Sequence, residues 1–260
     1  MNVKETLKAA TGSLLLNKVR SFLTMLGVII GVFAVISLVS LVGGMKNYIK
    51  DQFEGLGSNL LFVVGGKIDM NQGQGFNTAM MNSSLKEKHA DTIRTFAKDY
   101  VDTVSPEIQL SKTVKYKTQG YYVSLFGTGY DSTKIYNSTV EKGRYFTRAE
   151  QNSSSRVVVL GNLLSNKLFG DASPINKVIK IDNKSFEVLG VLNKKGPDFD
   201  ESIVIPYTTL IDTFERANIT AITVKAKNNV DFSEAKKQVE LALLRDLSDD
   251  EFTVYTQEDI

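Results

Sequence analysis

The pattern of apolar and polar positions divides the chain into two parts of different character. Residues 21–45 contain no charged side chain, and their apolar centre, residues 22–42, is 21 residues long. As an α-helix that centre would measure about 31 Å, which matches the ~30 Å hydrocarbon core of a bilayer. The pattern therefore predicts a transmembrane helix over residues 21–45.

Two other interpretations fit an apolar segment near an N-terminus. A buried core helix of a soluble protein rarely runs this far without a charge. The apolar region of a cleaved signal peptide is usually shorter, about 7–15 residues, although small residues at 42–44 offer a weak cleavage site. We therefore favour the transmembrane helix over both.

Beyond this segment the apolar spacing alternates between helical and strand-like periods. The helical period continues past residue 45 and meets breakers at Gly55 and Gly57, and residues 65–83, rich in Gly, Asn and Gln, predict a long loop. Apolar runs between turn residues predict strands over residues 59–64, 101–104, 113–118, 121–127, 156–160, 178–181, 186–192, 203–205, 219–225 and 251–255. Helical spacing predicts helices over residues 85–98, 162–169, 207–216 and 233–247, the last with Ser233 as N-cap.

The order of these elements predicts an α+β fold, in which the transmembrane helix precedes a two-lobed extracytoplasmic domain. A β-α-β unit is interrupted by a mostly β insertion and is then completed by a further α-β pair. We therefore assign residues 46–112 and 217–260 to a mixed α/β core lobe, and residues 113–216 to an inserted β-rich lobe.

The residues before the apolar segment carry the charge that sets its orientation. Residues 3–19 place apolar and basic positions on different helical faces, which is typical of an interfacial helix; a disordered basic leader is the alternative. Since basic flanks stay in the cytoplasm, we predict a cytoplasmic segment over residues 1–20, in contact with membrane lipid, and an extracytoplasmic domain after about residue 45. The protein would then lie in the cell (inner) membrane, oriented by Lys4, Lys8, Lys18 and Arg20.

Charge and cysteine content exclude several classes of protein. The first 20 residues have a charge balance of +3, whereas the other 240 carry 27 basic and 28 acidic side chains. A nucleic-acid-binding protein would concentrate positive charge on its folded part, so that partner is not expected. The chain has no Cys, which excludes disulfides, thiolate metal sites and Cys nucleophiles.

No constellation of residues points to catalysis. His89 is the one histidine, so a zinc site or a Ser-His-Asp triad lacks its parts, and we interpret it as a surface or half-buried helix residue. The sequence has no P-loop motif for ATP. Two acidic runs, at 198–201 and 249–251, lack the spacing of a calcium loop and are better read as solvated turns. We therefore expect no catalytic, metal or cofactor site and no enzymatic activity in this chain.

Small residues recur at helical spacing inside the apolar segment. Small side chains let a second helix approach closely, and two of these positions form a G-x-x-x-G pair. The pattern predicts a helix-packing face formed by Thr24, Gly27, Gly31, Ala34 and Ser37.

The sequence of the apolar segment also resembles a known signature. Residues 17–32 read Asn-Lys-Val-Arg-Ser-Phe-Leu-Thr-Met-Leu-Gly-Val-Ile-Ile-Gly-Val. This run is similar to the first-helix pattern N-K-x-R-S-x-L-T-x-L-G-x-x-I-G-V of MacB/FtsX-type ABC transporter permeases. The chain thus resembles the first portion of such a permease.

Further matches to that family follow in order through the rest of the chain. One departure is Asn176, which stands where the family usually has Gly. The matching positions are Val101, Val104, Ser105 and Pro106; Gly127 and Thr128; residues 142–147 with Glu150; residues 157–161; residues 168–170; Pro174 and Ile175; Phe186, Val188, Gly190 and Val191; and Asp200 with Ile205 and Pro206.

The resemblance implies how such a protein works. A partner ABC ATPase subunit would hydrolyse ATP, and a second permease copy would complete a dimer. The first helix would transmit the motion outward, so that the outer domain exports or releases a substrate. A periplasmic adaptor and an outer-membrane channel would be further partners where the envelope has an outer membrane.

The chain also departs from the complete family pattern. The family has three more transmembrane helices after the outer domain, whereas this sequence stops at Ile260. We therefore expect a fragment, or a split or truncated gene. The alternative function is a single-span anchored module that binds a ligand or partner outside the cytoplasm without transport.

Overall fold

A computed structural model of the chain describes residues 18–54, 59–67, 83–215 and 217–256. The chain divides into two compact units, residues 1–52 and 53–260. The predicted interfacial helix and most of the predicted 65–83 loop lie outside the described residues.

The apolar segment forms part of one long helix. Helix α1 (Lys18–Glu54) has 37 residues, which corresponds to a length of about 55 Å. It contains no Pro, so the backbone hydrogen bonds are not interrupted by a missing donor. The predicted continuation of the helix beyond residue 45 is confirmed.

The second unit combines strands and short helices in a mixed order. Its strands in the described part of the chain are β1 (Leu60–Gly65), β2 (Val101–Tyr116), β3 (Gln119–Thr128), β4 (Val140–Gly143), β5 (Val157–Leu160), β6 (Val178–Ile181), β7 (Lys184–Leu192), β8 (Ile203–Pro206), β9 (Ala221–Ala226) and β10 (Phe252–Thr256). Its α-helices are α2 (Glu87–Phe96), α3 (Ser132–Ile135), α4 (Arg148–Asn152), α5 (Asn162–Phe169), α6 (Pro197–Asp200), α7 (Tyr207–Thr213) and α8 (Phe232–Leu243). The predicted α+β class is confirmed.

The strands form one continuous sheet that closes on itself in one region. Their order is β10-β1-β9-β2-β3-β8-β5-β7-β4, and β6 pairs with both β2 and β7. Strands β2, β3, β8, β5, β7 and β6 therefore make a barrel-like ring, which leaves none of those six strands with two open edges. Outside the ring, β4 pairs antiparallel with β7, and β10-β1-β9 with the start of β2 form an antiparallel open part of the sheet.

Alternation along the strands places two apolar faces on the open part of the sheet. On one face Leu61, Val63 and Val224 belong to the main core together with residues from α2 and α8. On the other face Leu60 and Phe62 pack in a smaller cluster that includes Ile135 of α3. Because both faces are covered, β1 has six consecutive buried residues and no polar alternation.

Strand β2 corrects the sequence prediction of two separate strands. The predicted strands at 101–104 and 113–118 are the two ends of one 16-residue strand. Residues 101–107 pair with β9, and residues 108–116 pair with β3. Between the two predicted strands, the partner of β2 changes from β9 to β3. The apolar pattern is therefore weak there, although the backbone stays paired. The predicted lobe boundary at residues 112 and 113 falls within this strand and stays a prediction.

Short elements and helix ends account for the other differences. Strand β4 and helices α3, α4 and α6 were not predicted, since four or five residues carry too little periodicity. The N-cap of α8 is Asp231, whose side chain accepts a 2.9 Å hydrogen bond from Glu234 N, and not the predicted Ser233. The predicted end of that helix at residue 247 is also too late, since α8 ends at Leu243.

His89 is buried, which corrects its interpretation as a surface or half-buried residue. Its side chain is 1% exposed, and Nδ1 accepts a 3.1 Å hydrogen bond from Lys86 N at the start of α2. Burial, with Lys88 nearby, lowers the pKa of His89, so the neutral ring is favoured. The residue closes the N-terminus of α2 and has a structural role.

Candidate functional site

Helix α1 is apolar around its whole circumference. The large apolar side chains between Val19 and Met45 are 39–73% exposed, including those at consecutive positions. A core helix of a soluble protein would bury one face, so this exposure does not fit that alternative. Among the described residues, α1 is the one helix long and apolar enough to cross a membrane, over Lys18–Met45.

The predicted packing face lies on α1. Thr24 Oγ1 donates to the carbonyl oxygens of Arg20 and Ser21, both at 3.0 Å, so its hydroxyl is satisfied within its own helix. A Cβ at Gly27 or Gly31 would meet no atom within 4 Å beyond the helix itself. No described neighbour therefore requires glycine at these positions, and the packing role stays a prediction.

The residues predicted to orient the helix are only partly described. Lys18 and Arg20 lie in the first turn of α1 and are exposed, immediately before the uncharged segment. Lys4 and Lys8 lie outside the described residues. The predicted cytoplasmic location of this end stays a prediction.

In the second unit, residues 53–260, here called the outer domain after its predicted location, the motif around residues 142–150 forms a tight charged turn. Arg144 donates two hydrogen bonds to the Glu150 carboxylate, at 2.9 and 2.7 Å. Thr147 caps α4 and donates its backbone N–H to Glu150 at 2.8 Å. The Arg144 guanidinium, together with these Thr147 donors, lowers the pKa of Glu150 to about 2.

Replacing Glu150 with Gln should destabilise the domain at neutral pH by about 1 kcal/mol, because a bidentate charged pair is lost. Since the pKa of Glu150 is lower in the folded state, the pair stabilises the fold above pH ~5 and this contribution disappears as the pH falls towards 2. Urea unfolding of Glu150→Gln and the parent chain at pH 7, 5 and 3 measures this. A difference that does not shrink with acid would contradict the assignment.

Asn176, the departure from the family motif, has a positive φ of 59°. Glycine adopts this left-handed conformation without cost, and Asn is one of the few other residues that tolerate it. Its backbone N–H donates to Val188 O at 2.9 Å. The turn is therefore retained despite the substitution.

A polar cleft of about 500 Å³ lies between α2 on one side and the turn before α3 with helix α4 on the other. On the α2 side, Arg94 pairs with Asp91 at 2.7 Å and donates to Val104 O at 2.6 Å. On the opposite side, Arg148 lies 6.0 Å from the Tyr130 ring. The cleft therefore carries charges of both signs, of which Arg94 and Asp91 form an ion pair.

A second cavity, of about 80 Å³, lies among β2, β3, α3 and β8, and several aromatic side chains line it. Glu107 of β2 reaches it and accepts a hydrogen bond from Tyr136 OH. Tyr136 OH also lies 3.2 Å from Thr223 Oγ1 of β9. Burial raises the pKa of Glu107 to about 7, because few groups around it stabilise the charged form.

Three hydroxyl groups form the polar side of the same cavity. Ser132 Oγ lies 2.8 Å from Tyr145 OH and 3.0 Å from Thr128 Oγ1. Thr128 Oγ1 also lies 3.1 Å from Tyr145 OH, which closes a triangle. The cavity thus combines aromatic walls, one carboxyl group and oxygen atoms that can accept hydrogen bonds.

An adjoining cavity of about 150 Å³ shares Ser138, Leu192 and Phe199 with the first. Lys195 lines it and donates to the carbonyl oxygen of Tyr136. Its Nζ lies 5.6 Å from the centre of each of the Tyr136 and Phe199 rings. Burial lowers the pKa of Lys195 to about 8.

None of these cavity residues was singled out as a site from the sequence. Glu107 and Tyr136 are 29 positions apart, and no local sequence pattern links them. The acidic runs that were interpreted as solvated turns form ion pairs with exposed partners: Asp249 with Lys67 at 2.9 Å and Glu201 with Lys167 at 2.8 Å.

The outer domain is similar in fold to solved structures. The periplasmic region of MacB from Actinobacillus actinomycetemcomitans superposes with a TM-score of 0.69 at 21% identity, over 81% of this chain and 94% of that one. The extracellular domain of the noncanonic ABC-type transporter YknZ from Gram-positive bacteria gives 0.63 at 19% identity, over 76% of this chain and 100% of that one. At these identities the likeness establishes the fold.

Sequence relatives cover most of this chain. A macrolide export ATP-binding/permease protein MacB from Chlorobaculum tepidum is 35% identical over 198 residues, 74% of this chain. The protein of the same name from Wolinella succinogenes is 30% identical over 246 residues, 92% of this chain. The matched regions span 30% and 37% of those relatives, so this chain corresponds to about a third of their length.

The family model described as the MacB-like periplasmic core domain matches residues 21–242. That match includes the apolar part of α1 and nearly all of the outer domain. An apolar helix of membrane-spanning length followed by this domain fits an inner-membrane protein. The chain therefore belongs to the MacB-like periplasmic core domain family, found in MacB/FtsX-type ABC transporter permeases.

Proposed function

We propose that this chain is the N-terminal portion of a MacB-like permease subunit, which transmits ATP-driven motion to an extracytoplasmic domain for export or release of a substrate. The supporting observation is the unbroken helix α1. It is about 55 Å long, so it exceeds the ~30 Å hydrocarbon core by several turns. A helix of this length can carry a displacement across the membrane without a flexible joint.

The energy for this motion would come from a partner ABC ATPase subunit, since this sequence carries no P-loop. A second copy of the permease would pack against α1 through Thr24, Gly27, Gly31, Ala34 and Ser37. A periplasmic adaptor and an outer-membrane channel would extend the assembly where an outer membrane exists. The N-terminus would be cytoplasmic, and the two predicted lobes, 46–112 with 217–260 and 113–216, would move in response.

Gly31→Leu tests the packing face. We expect it to weaken self-association by about 1–2 kcal/mol, roughly five- to thirtyfold, because a large side chain blocks close helix approach. Two differently tagged copies of the full chain, coexpressed and purified in detergent, measure this as the fraction recovered together. The circular dichroism of the outer domain should not change.

Gly43→Leu is a matched control for this experiment. Gly43 lies in the same helix, about 120° around from Gly31, and also has no neighbour within 4 Å. It should retain association. Unchanged recovery for Gly31→Leu, or equal loss for both variants, would contradict the proposed packing face.

The alternative function, an anchored binding module without transport, has its own supporting observation in the two adjoining cavities near Tyr136. The two functions differ in their need for an ATPase. The anchored module is favoured by two results together. No ATPase copurifies with the chain, and an added ABC ATPase with ATP leaves protease cleavage of the outer domain unchanged.

A further inference from the structure

The aromatic cavity beside Glu107 has the chemistry of a ligand site. Three rings border it in sequence: the Phe126 and Phe199 ring centres are 5.6 Å apart, and those of Phe199 and Tyr136 are 6.4 Å apart. The faces of aromatic rings are electron-rich and attract cations. The walls therefore favour a positively charged occupant over a negative one.

The formal charge on the cavity wall also favours a positively charged occupant. Glu107 is the one charged side chain among the described residues that line this cavity, and no described basic side chain forms an ion pair with it. Among the titratable groups around it, the phenols of Tyr136, Tyr145 and Tyr255 supply no positive charge. Lys195 lies over the Tyr136 ring, but its ammonium donates to a carbonyl oxygen and not to Glu107. Glu107 thus lacks the cation that a partly buried carboxylate usually has.

The chain already shows that these rings accommodate an ammonium group. Lys195 Nζ lies 5.6 Å from the centres of both the Tyr136 and Phe199 rings and donates a hydrogen bond to the Tyr136 carbonyl oxygen. Lys195 lines the adjoining cavity and is not among the residues lining the Glu107 cavity. No described basic side chain lines the Glu107 cavity itself.

Cavity size limits the occupant. A volume of about 80 Å³ holds roughly five water-sized groups. The hydroxyl groups of Thr128, Ser132 and Tyr145 supply oxygen acceptors on the cavity wall. A primary ammonium has three N–H donors, which need several such acceptors.

From this arrangement we propose that the Glu107 cavity binds a small primary alkylammonium ion, held by the Glu107 carboxylate, the cavity hydroxyl groups and the faces of the aromatic rings. This site is independent of the proposed transport function, since it requires neither an ATPase nor a second copy. Binding involves no covalent step.

The proposed mode of binding makes the affinity depend on pH with a definite sign. The ammonium pairs with ionised Glu107, whose pKa is raised to about 7. Below that pH a proton must leave before the ligand binds, so the affinity should fall about tenfold per pH unit. Above pH 8 the affinity should not fall until the amine itself loses its proton, because Lys195 beside the same rings, whose pKa is lowered to about 8, loses its competing positive charge there.

Ethylammonium is a suitable probe, with ethanol and acetate as neutral and anionic molecules of the same size. Saturation-transfer NMR on the full chain in detergent should show binding of ethylammonium at pH 8, and weaker binding at pH 6 and pH 5. Acetate and ethanol should not compete. Equal binding of the three probes, no binding of ethylammonium at 100-fold excess over protein, or an affinity that does not change between pH 5 and 7 would overturn the proposal.

Glu107→Gln should weaken ethylammonium binding at pH 8 by about tenfold or more. The amide oxygen can still accept the Tyr136 hydroxyl, so the variant should fold, and its thermal unfolding verifies that. Glu187→Gln on the exposed side of β7 is the matched control and should bind like the parent chain. Parent-like binding by Glu107→Gln would also overturn the proposal, and the pH series on the unaltered chain tests it without any variant.

Discussion

Replacing Phe186 with Ala should lower the free energy of unfolding of the outer domain by about 3–5 kcal/mol. Phe186 lies on β7 with 1% of its side chain exposed, and its ring stacks on Phe214 with centres 6.2 Å apart. The residue belongs to the main core, which is continuous through the ring of strands and the open part of the sheet. Removing the ring leaves a cavity that such a closed arrangement cannot easily collapse.

Urea unfolding of the full chain in detergent, followed by circular dichroism at the strand minimum, measures this change. Phe96→Ala is the matched control, since Phe96 is 51% exposed and the Arg245 guanidinium lies 3.8 Å from its ring centre. The control should cost no more than about 1 kcal/mol. Equal effects of the two substitutions would show that Phe186 is not part of a well-packed core.

Gly143→Ala should be the second most disruptive change, with an expected loss of about 3 kcal/mol. Gly143 ends β4 with a φ of 76°, a conformation that L-residues rarely adopt. An added Cβ would overlap the carbonyl oxygen of Leu189 and would lie 3.0 Å from Gly190 Cα. Because both obstacles are backbone of β7, relief requires the β4–β7 pairing to open.

Gly66→Ala separates the two contributions to this loss. Gly66 also has a positive φ, 80°, close to that of Gly143, but an added Cβ would meet no atom within 4 Å. It should cost only the conformational strain, about 1 kcal/mol. If both glycine substitutions cost the same, the close approach of β4 and β7 is not what requires glycine at residue 143.

The candidate sites differ in how far the sequence could predict them. The predicted packing face on α1 is a local pattern, since its residues lie within 14 positions and share one helical face by spacing alone. The Glu107 cavity combines residues from β2, β3, α3, α6, β7 and β8. No local period relates these positions, so only the folded chain shows that they share a cavity.

The motif turn around Arg144 lies between these extremes. The spacing of Thr147 and Glu150 is a recognisable capping signal, because an N-cap hydroxyl and a carboxylate three residues later satisfy each other's backbone donors. That Arg144 also donates to the Glu150 carboxylate depends on the path of the chain from β4 into the turn. The spacing of the motif does not predict that path.

The sequence by itself determined the membrane-length helix, the mixed α+β class, most strands and the family, because each rests on local periodicity or on a contiguous motif. The tertiary structure decided that β2 is one continuous strand, that β6 closes a ring, and that His89 and Glu107 lie in protein surroundings. The physical reason is that strand partners and the burial of a polar side chain are set by residues distant in sequence. The sequence gives the type of a polar residue, whereas its exposure and its pKa depend on the groups that the folded chain places around it.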